Sequence, residues 1–190
     1  MDDTCLKLKA QILDGAAMNR SLIRISHEIT ERNKGAQDLV LVGIIRRGVP
    51  LARRIATQIE RMEGVTVPVG SLDITFYRDD RTSDVPQPVL HETHIPFDIT
   101  GKHVVLVDDV IYTGRTVRAA IDALFRLGRP STVGLAVMID RGLRELPFKP
   151  DFVGKNIPTS HREVVRVRVT PVDAEDSVSI YTKPEDADAF

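Results

Sequence analysis

The sequence is poor in cysteine, in net charge and in long apolar segments. Its 190 residues include a single cysteine, Cys5, so no intramolecular disulfide can form, and we expect a reducing compartment, the cytoplasm. The formal net charge of −1 excludes a globally basic nucleic-acid binder, although a local basic patch is compatible with it. No apolar run approaches the length of a membrane span, so no membrane partner is expected.

What the sequence does contain is a series of apolar strands that alternate with amphipathic helices. Apolar runs at 39–45, 104–107 and 132–139 predict buried strands, and helical periodicity follows the first two at about 51–62 and 117–127. This alternation is typical of an α/β fold with a mostly parallel sheet flanked by helices. Because 42% of the 190 residues are hydrophobic, we predict one well-buried domain over 1–190.

Two stretches depart from this alternation. Residues 77–95 are polar, contain two prolines and have neither period, which predicts a long flexible loop. After Asp140 the chain consists of short segments broken by glycine and proline, followed by terminal strands at 163–169 and 177–181. We predict that residues 140–190, together with the N-terminal segment, form a small hood over the sheet.

The most informative segment runs from Val104 to Thr116. It predicts a buried strand that ends in two carboxylates and then turns into a helix. A helix N-terminus offers unpaired N–H groups to a phosphate, while carboxylates accept hydrogen bonds from sugar hydroxyls. An ordinary capped junction between strand and helix is the alternative. The residues predicted to surround a sugar phosphate are Asp108, Asp109, Tyr112, Thr113, Gly114, Arg115 and Thr116.

A second turn, which follows the first predicted strand, carries Arg46 and Arg47. The carboxyl ends of parallel strands meet at one edge of a sheet, so both turns are expected to face the same ligand. Guanidinium groups stay charged and donate several hydrogen bonds, which suits a pyrophosphate and would stabilise it as a leaving group. In isolation the two residues could equally be solvated surface arginines.

The string from Val104 to Thr116 resembles the phosphoribosyl pyrophosphate (PRPP) loop of the type I phosphoribosyltransferases. Nearly the whole chain resembles one family among them, the bifunctional pyrimidine operon attenuation regulators that are also uracil phosphoribosyltransferases; the stretch Gly154–Ser160 is the most family-specific. The resemblance implies a type I phosphoribosyltransferase fold and the conversion of uracil and PRPP into UMP and pyrophosphate. It also implies Mg²⁺ as cofactor, held mainly through PRPP rather than by protein ligands, and a cis peptide bond at Arg46–Arg47.

By the same resemblance, the flexible loop carries Tyr77, Arg78 and Asp79 and closes over PRPP. The uracil base is expected in the hood, against Phe152, Val153 and Asp140. A ring such as Phe152 can cover a planar base, although it could equally be a packed core residue. Purine enzymes usually have an acidic residue where Tyr112 stands and a lysine where Asp140 stands, so both positions favour uracil over a purine.

The family also binds a pyrimidine-operon leader mRNA in a UMP-dependent manner. Leu143 and Ile23 replace polar residues that are usual beside the RNA face, so a solvated basic face on a salvage enzyme is the alternative. A UMP-sensing regulator without turnover and a purine or orotate phosphoribosyltransferase are also open. A homodimer or a higher homo-oligomer is expected from the resemblance. The residues that match basic RNA-contacting positions are Arg24, His27, Arg144, Lys149 and Lys155.

Overall fold

The computed structural model describes residues 6–75 and 93–184. Within these ranges three helices and eight strands are present, among them the predicted strands near 39–45, 104–107, 132–139, 163–169 and 177–181 and the predicted helices near 51–62 and 117–127. The strands at the N-terminus and at 152–156 are additions to that prediction. The elements are β1 (Lys7–Asp14), α1 (Gly15–Asn33), β2 (Leu39–Ile44), α2 (Gly48–Glu63), β3 (Val69–Leu72), β4 (His103–Ile111), α3 (Arg115–Leu127), β5 (Thr132–Asp140), β6 (Phe152–Asn156), β7 (Glu163–Arg168) and β8 (Ser177–Thr182).

Five strands form a central parallel sheet in the order β3-β2-β4-β5-β6. Every residue of β2 is buried, as the uninterrupted apolar sequence of a strand covered on both faces requires. The first helix packs its apolar stripe of Leu22, Ile25 and Ile29 into the core, and the Asp14 carboxylate caps its first turn by accepting the Ala17 N–H at 2.7 Å. The α/β fold is confirmed, and the carboxyl ends of β2 and β4 lie side by side.

The hood contains a separate antiparallel sheet in the order β1-β8-β7. The predicted hood range needs one correction, because β6 lies within 140–190 but pairs in parallel with β5. Asp151 fixes this pairing: its N–H donates to the Leu135 carbonyl at 2.8 Å, and its carboxylate accepts the Leu135 N–H at 2.9 Å. Residues 152–156 therefore belong to the central sheet.

The predicted flexible loop falls largely outside the described residues, including Tyr77, Arg78 and Asp79. Its last three residues, 93–95, are held against β3. His94 exchanges two backbone hydrogen bonds with Ser71, at 2.8 and 2.9 Å, and the Thr93 hydroxyl accepts the Asp73 N–H at 3.0 Å. Within the described ranges no helix is long and apolar enough to cross a membrane.

Candidate active site

The turn between β4 and α3 forms a pocket of about 290 Å³ at the carboxyl edge of the central sheet. Gly114 precedes the first residue of α3 with φ of 95°, a left-handed conformation that side chains disfavour. An added Cβ would lie 3.2 Å from Phe148 Cδ2, because the hood segment packs directly on this turn. Thr113 anchors that segment, since its carbonyl accepts the N–H groups of Glu145 and Leu146 at 3.0 and 2.9 Å. The pocket brings together Tyr112, Thr113, Gly114, Arg115 and Thr116.

The two carboxylates of β4 stand immediately before this pocket. Asp108 is 8% exposed, and its Oδ1 accepts the Asp109 N–H at 2.9 Å. Burial raises the pKa of Asp109, while hydrogen bonding to Asp108 and the charge of Arg47 act in the opposite direction. Adjacent strand residues point to opposite faces, so the pair offers acceptors on two sides of the strand end.

The turn after β2 brings Arg47 to the same edge. Its Nε and Nη2 donate to the two carboxylate oxygens of Asp173 at 2.8 and 2.7 Å, and this hydrogen bonding lowers the pKa of Asp173. Arg46 is exposed. The predicted cis bond at Arg46–Arg47 is wrong by one position: the cis peptide joins Ile45 and Arg46. Ile45 is the last residue bonded to β3, through its N–H, and Arg47 already has helical dihedral angles before α2.

Arg144, a predicted RNA-contacting residue in the hood, is turned inward and does not form part of an exposed basic surface. This side chain donates to the carbonyls of Tyr112 at 2.8 Å, Gly142 at 3.0 Å and Phe148 at 3.0 Å. It also forms an ion pair with Asp140 at 2.6 Å, and the two side chains are only 21% and 18% exposed. Arg144 therefore joins the end of β5 to the pocket before α3.

Three residues reach the site only through tertiary contacts, and the sequence carries no periodic or motif signal for their roles. Arg141 is 7% exposed and places its guanidinium 4.2 Å from the centre of the Tyr112 ring. Burial lowers the pKa of Arg141. His161 Nδ1 lies 3.3 Å from the Tyr112 hydroxyl. The third is Asp173, the partner of Arg47.

The structure does not bring the predicted base-binding residues Phe152 and Val153 to this edge. Phe152 begins β6 beside Ala136, four residues before the strand ends level with Asp140. Its ring lines a cavity with His103 and Thr132, the first residues of their strands. A ring at the amino edge of a parallel sheet cannot stack on a base bound beyond the carboxyl edge, so this assignment is corrected.

The other predicted RNA residues lie outside the pocket before α3. Arg24 on α1 donates to the carbonyls of Val153 at 2.8 Å and Gly154 at 2.7 Å, which brings it next to the strand that carries Lys155. Four of the predicted residues are exposed: Arg24, His27, Lys149 and Lys155. The basic residues of α1 and β6 can thus share one surface, whereas Arg144 is turned inward.

Comparison with known proteins agrees with this geometry. The family model of the phosphoribosyl transferase domain matches residues 9–172. The protein named bifunctional protein PyrR from Pelotomaculum thermopropionicum is 63% identical over 93% of this chain and 98% of its own length. The chain belongs to the PyrR family of phosphoribosyltransferases. The PyrR protein of Thermus aquaticus is 58% identical over 94% of this chain and 98% of its own.

Solved structures support the PyrR fold independently of this sequence identity. A hypoxanthine phosphoribosyltransferase of Trypanosoma cruzi superposes with a TM-score of 0.72 at 20% identity, covering 94% of this chain and 97% of that one. At this identity the likeness establishes the fold alone. The type I phosphoribosyltransferase fold predicted for this PyrR chain is confirmed.

Proposed function

We propose that this protein converts uracil and PRPP into UMP and pyrophosphate, and that its UMP-bound form binds pyrimidine-operon leader mRNA. One observation carries the enzymatic part. The phosphate pocket, the carboxylates of Asp108 and Asp109, and the guanidinium of Arg47 all lie at one edge of the central sheet. The pocket offers N–H donors to a 5′-phosphate, the carboxylates accept hydrogen bonds from sugar hydroxyls, and the guanidinium binds a pyrophosphate. A sugar that bears both phosphate groups requires all three.

The 5′-phosphate occupies the turn before α3. The first N–H groups of the helix and the hydroxyls of Thr113 and Thr116 donate to its oxygens, and the Arg115 guanidinium, which is paired with Glu145 at 2.8 Å, lies beside them. Gly114 allows the backbone to approach closely. The ribose 2′ and 3′ hydroxyls donate to Asp108 and Asp109, whose N–H-bonded carboxylates are already oriented.

The pyrophosphate is held at the turn after β2 by Arg46 and Arg47. Arg47 donates from Nε and Nη2 to Asp173. This bidentate contact fixes the plane of the guanidinium and leaves Nη1 for a phosphate oxygen. Positive charge there stabilises the negative charge that develops on the leaving group. No side chain acts as a nucleophile, because the base nitrogen attacks the ribose carbon from which pyrophosphate departs. Catalysis rests on positioning and on charge complementarity.

The carboxylate of Asp109 is suited to contact the Mg²⁺ that PRPP carries. This ion prefers oxygen ligands and is usually bound by one or two carboxylates together with substrate phosphates. It faces a polar cavity, and the burial that raises its pKa is a cost that a nearby cation offsets. Mg²⁺ bound with PRPP supplies further positive charge at the departing pyrophosphate.

The base is placed beside Tyr112 and Asp140 rather than on Phe152. Tyr112 stands where purine enzymes usually have an acidic residue, and Asp140, which is paired with Arg144, stands where they usually have a lysine. These two residues support uracil in preference to a purine. Tyr112 is held in place by the Arg141 guanidinium on its ring and by His161 at its hydroxyl.

The decisive enzymatic test is nucleotide formation from PRPP and Mg²⁺ with uracil, hypoxanthine, guanine or orotate. We expect UMP from uracil only. Asp109→Asn is the control, since it keeps the side-chain volume but removes the charge beside the ribose. Formation of IMP, GMP or orotidylate instead would show that the substrate is hypoxanthine, guanine or orotate and not uracil. Protein that binds UMP but forms no nucleotide would be a sensor rather than an enzyme.

The RNA-binding proposal is supported by the exposed basic residues of α1 and β6. His27→Ala and Lys155→Gln are expected to weaken UMP-dependent, salt-sensitive binding of a leader hairpin without changing UMP formation. Arg61→Gln, an exposed change on α2, is the matched control. Equal affinity for an unrelated RNA of the same length would contradict specific recognition. Both activities place the protein in the cytoplasm.

A further inference from the structure

A second, strongly polar cavity of about 330 Å³ lies between Asp109 and β7, an outer strand of the hood sheet. Its walls carry Arg47 and Asp173 on one side and Arg166 and Arg168 on the other. The lining thus contains three arginines and two aspartates, and one of these, Asp109, belongs to the carboxylate pair of β4, so the cavity adjoins the candidate site.

The two arginines of β7 lie on the same face of the strand, because side chains two residues apart point the same way. Both are positioned by Tyr181 of β8. The Arg166 guanidinium lies 5.3 Å from the centre of the Tyr181 ring, and Arg168 Nη2 lies 3.4 Å from its hydroxyl. Arg168 Nη1 also contacts Glu175 at 3.3 Å. These contacts hold two planar guanidinium groups beside Tyr181, on residues that also line the cavity.

Charge coupling connects the two walls. The pKa of Asp173 is lowered mainly by its hydrogen bonds to Arg47, and the charge of Arg168 lowers it further. The pKa of Arg47 is in turn raised, mainly by its hydrogen bonds to Asp173 and also by the charge of Asp109. Since Asp173 already takes two of the three nitrogens of Arg47, that residue alone offers little to a group that carries several negative charges. A pyrophosphate in this cavity needs donors from the opposite wall.

We propose that Arg166 and Arg168 form the second wall of the pyrophosphate subsite and bind the oxygens of the leaving group. This inference rests on the proposed function, because it takes the pyrophosphate to lie beside Asp109 and Arg47. It assigns to the hood sheet a part in substrate binding, in addition to covering the central sheet. The substrate is then held between the turn after β2 and the outer face of β7.

Calorimetric titration with inorganic pyrophosphate and Mg²⁺ tests this directly and needs no turnover. Arg166→Gln and Arg168→Gln are each expected to raise the dissociation constant about tenfold, the effect of losing one charge-assisted hydrogen bond. The KM for PRPP should rise by a similar factor. Affinity for UMP, which has no pyrophosphate, should stay within about twofold of the native value.

Two control variants separate binding from structure. Arg129→Gln removes the same charge from an exposed position after α3 and should change none of these constants. Glu175→Gln removes the ion-pair partner of Arg168 but keeps both arginines, so pyrophosphate affinity should be retained. The proposal is overturned if both arginine variants bind pyrophosphate like the native protein, or if Glu175→Gln weakens it as much as Arg168→Gln. A protein that binds pyrophosphate normally but makes no UMP would contradict only the proposed reaction.

Discussion

Replacing Arg144 with methionine should destabilise the protein as well as affect its ligands. Methionine keeps much of the apolar stem but removes every donor of the guanidinium. The carbonyls of Tyr112, Gly142 and Phe148 and the carboxylate of Asp140 then each lose a donor. Because both members of the ion pair are about one fifth exposed, water can replace only part of what is lost.

The expected loss can be worked from these contacts. A hydrogen bond to a charged group contributes about 1.5–3 kcal/mol, and leaving a half-buried acceptor without a donor adds to the cost. With partial compensation by water, the free energy of unfolding should fall by about 3 kcal/mol. For a domain of this size each kcal/mol lowers Tm by about 2–4 °C, which gives a decrease of about 10 °C.

Urea unfolding followed by far-ultraviolet circular dichroism measures this loss. Arg20→Met, an exposed change on α1, is the matched control and should remain within about 0.5 kcal/mol of the native protein. A change of the same small size for Arg144→Met would refute the reasoning. If that variant were stable and had lost only RNA affinity, Arg144 would be an RNA contact and not an internal brace. A loss of both would leave His27 as the cleaner probe of the RNA surface.

Three further changes test other parts of the site. Gly114→Ala should weaken UMP binding at least tenfold and cost about 1–2 kcal/mol, since φ is 95° and the added Cβ meets Phe148; calorimetry and thermal unfolding report this, and unchanged affinity would contradict it. Gly48→Ala should prevent normal folding, because its Cβ would lie 2.2 Å from a backbone oxygen of β4, and a native-like urea midpoint would argue against this. Asp173→Asn should lower stability at pH 7. The ion pair with Arg47 depresses the pKa of Asp173, so this difference should shrink as the pH falls below about 4; a difference that grows in acid would reverse the sign of the argument.

The sequence by itself determined the parallel α/β core and the position of the pocket proposed to bind a sugar phosphate. Those features are local: apolar runs specify buried strands, and a glycine-containing turn after two aspartates places helix N–H groups and carboxylates next to each other whatever the rest of the chain does. The residues of the pocket at 112–116 and the two aspartates that precede them could therefore be read from thirteen consecutive residues.

The tertiary structure decided what the hood does, because its contacts join residues far apart in sequence. Nothing local distinguishes Arg144, an internal brace, from Lys155, an exposed cation; both are basic residues in polar segments. Phe152 looked suited to a planar base until the pairing of β6 with β5 placed it at the amino edge of the sheet. Arg166 and Arg168 read as ordinary alternating strand residues, and only the tertiary structure brings them to the cavity that Asp109 also lines. Such contacts depend on closure of the chain between segments that do not adjoin in sequence, such as Arg144 and Tyr112 or Arg166 and Asp109, and sequence periodicity holds no information about them.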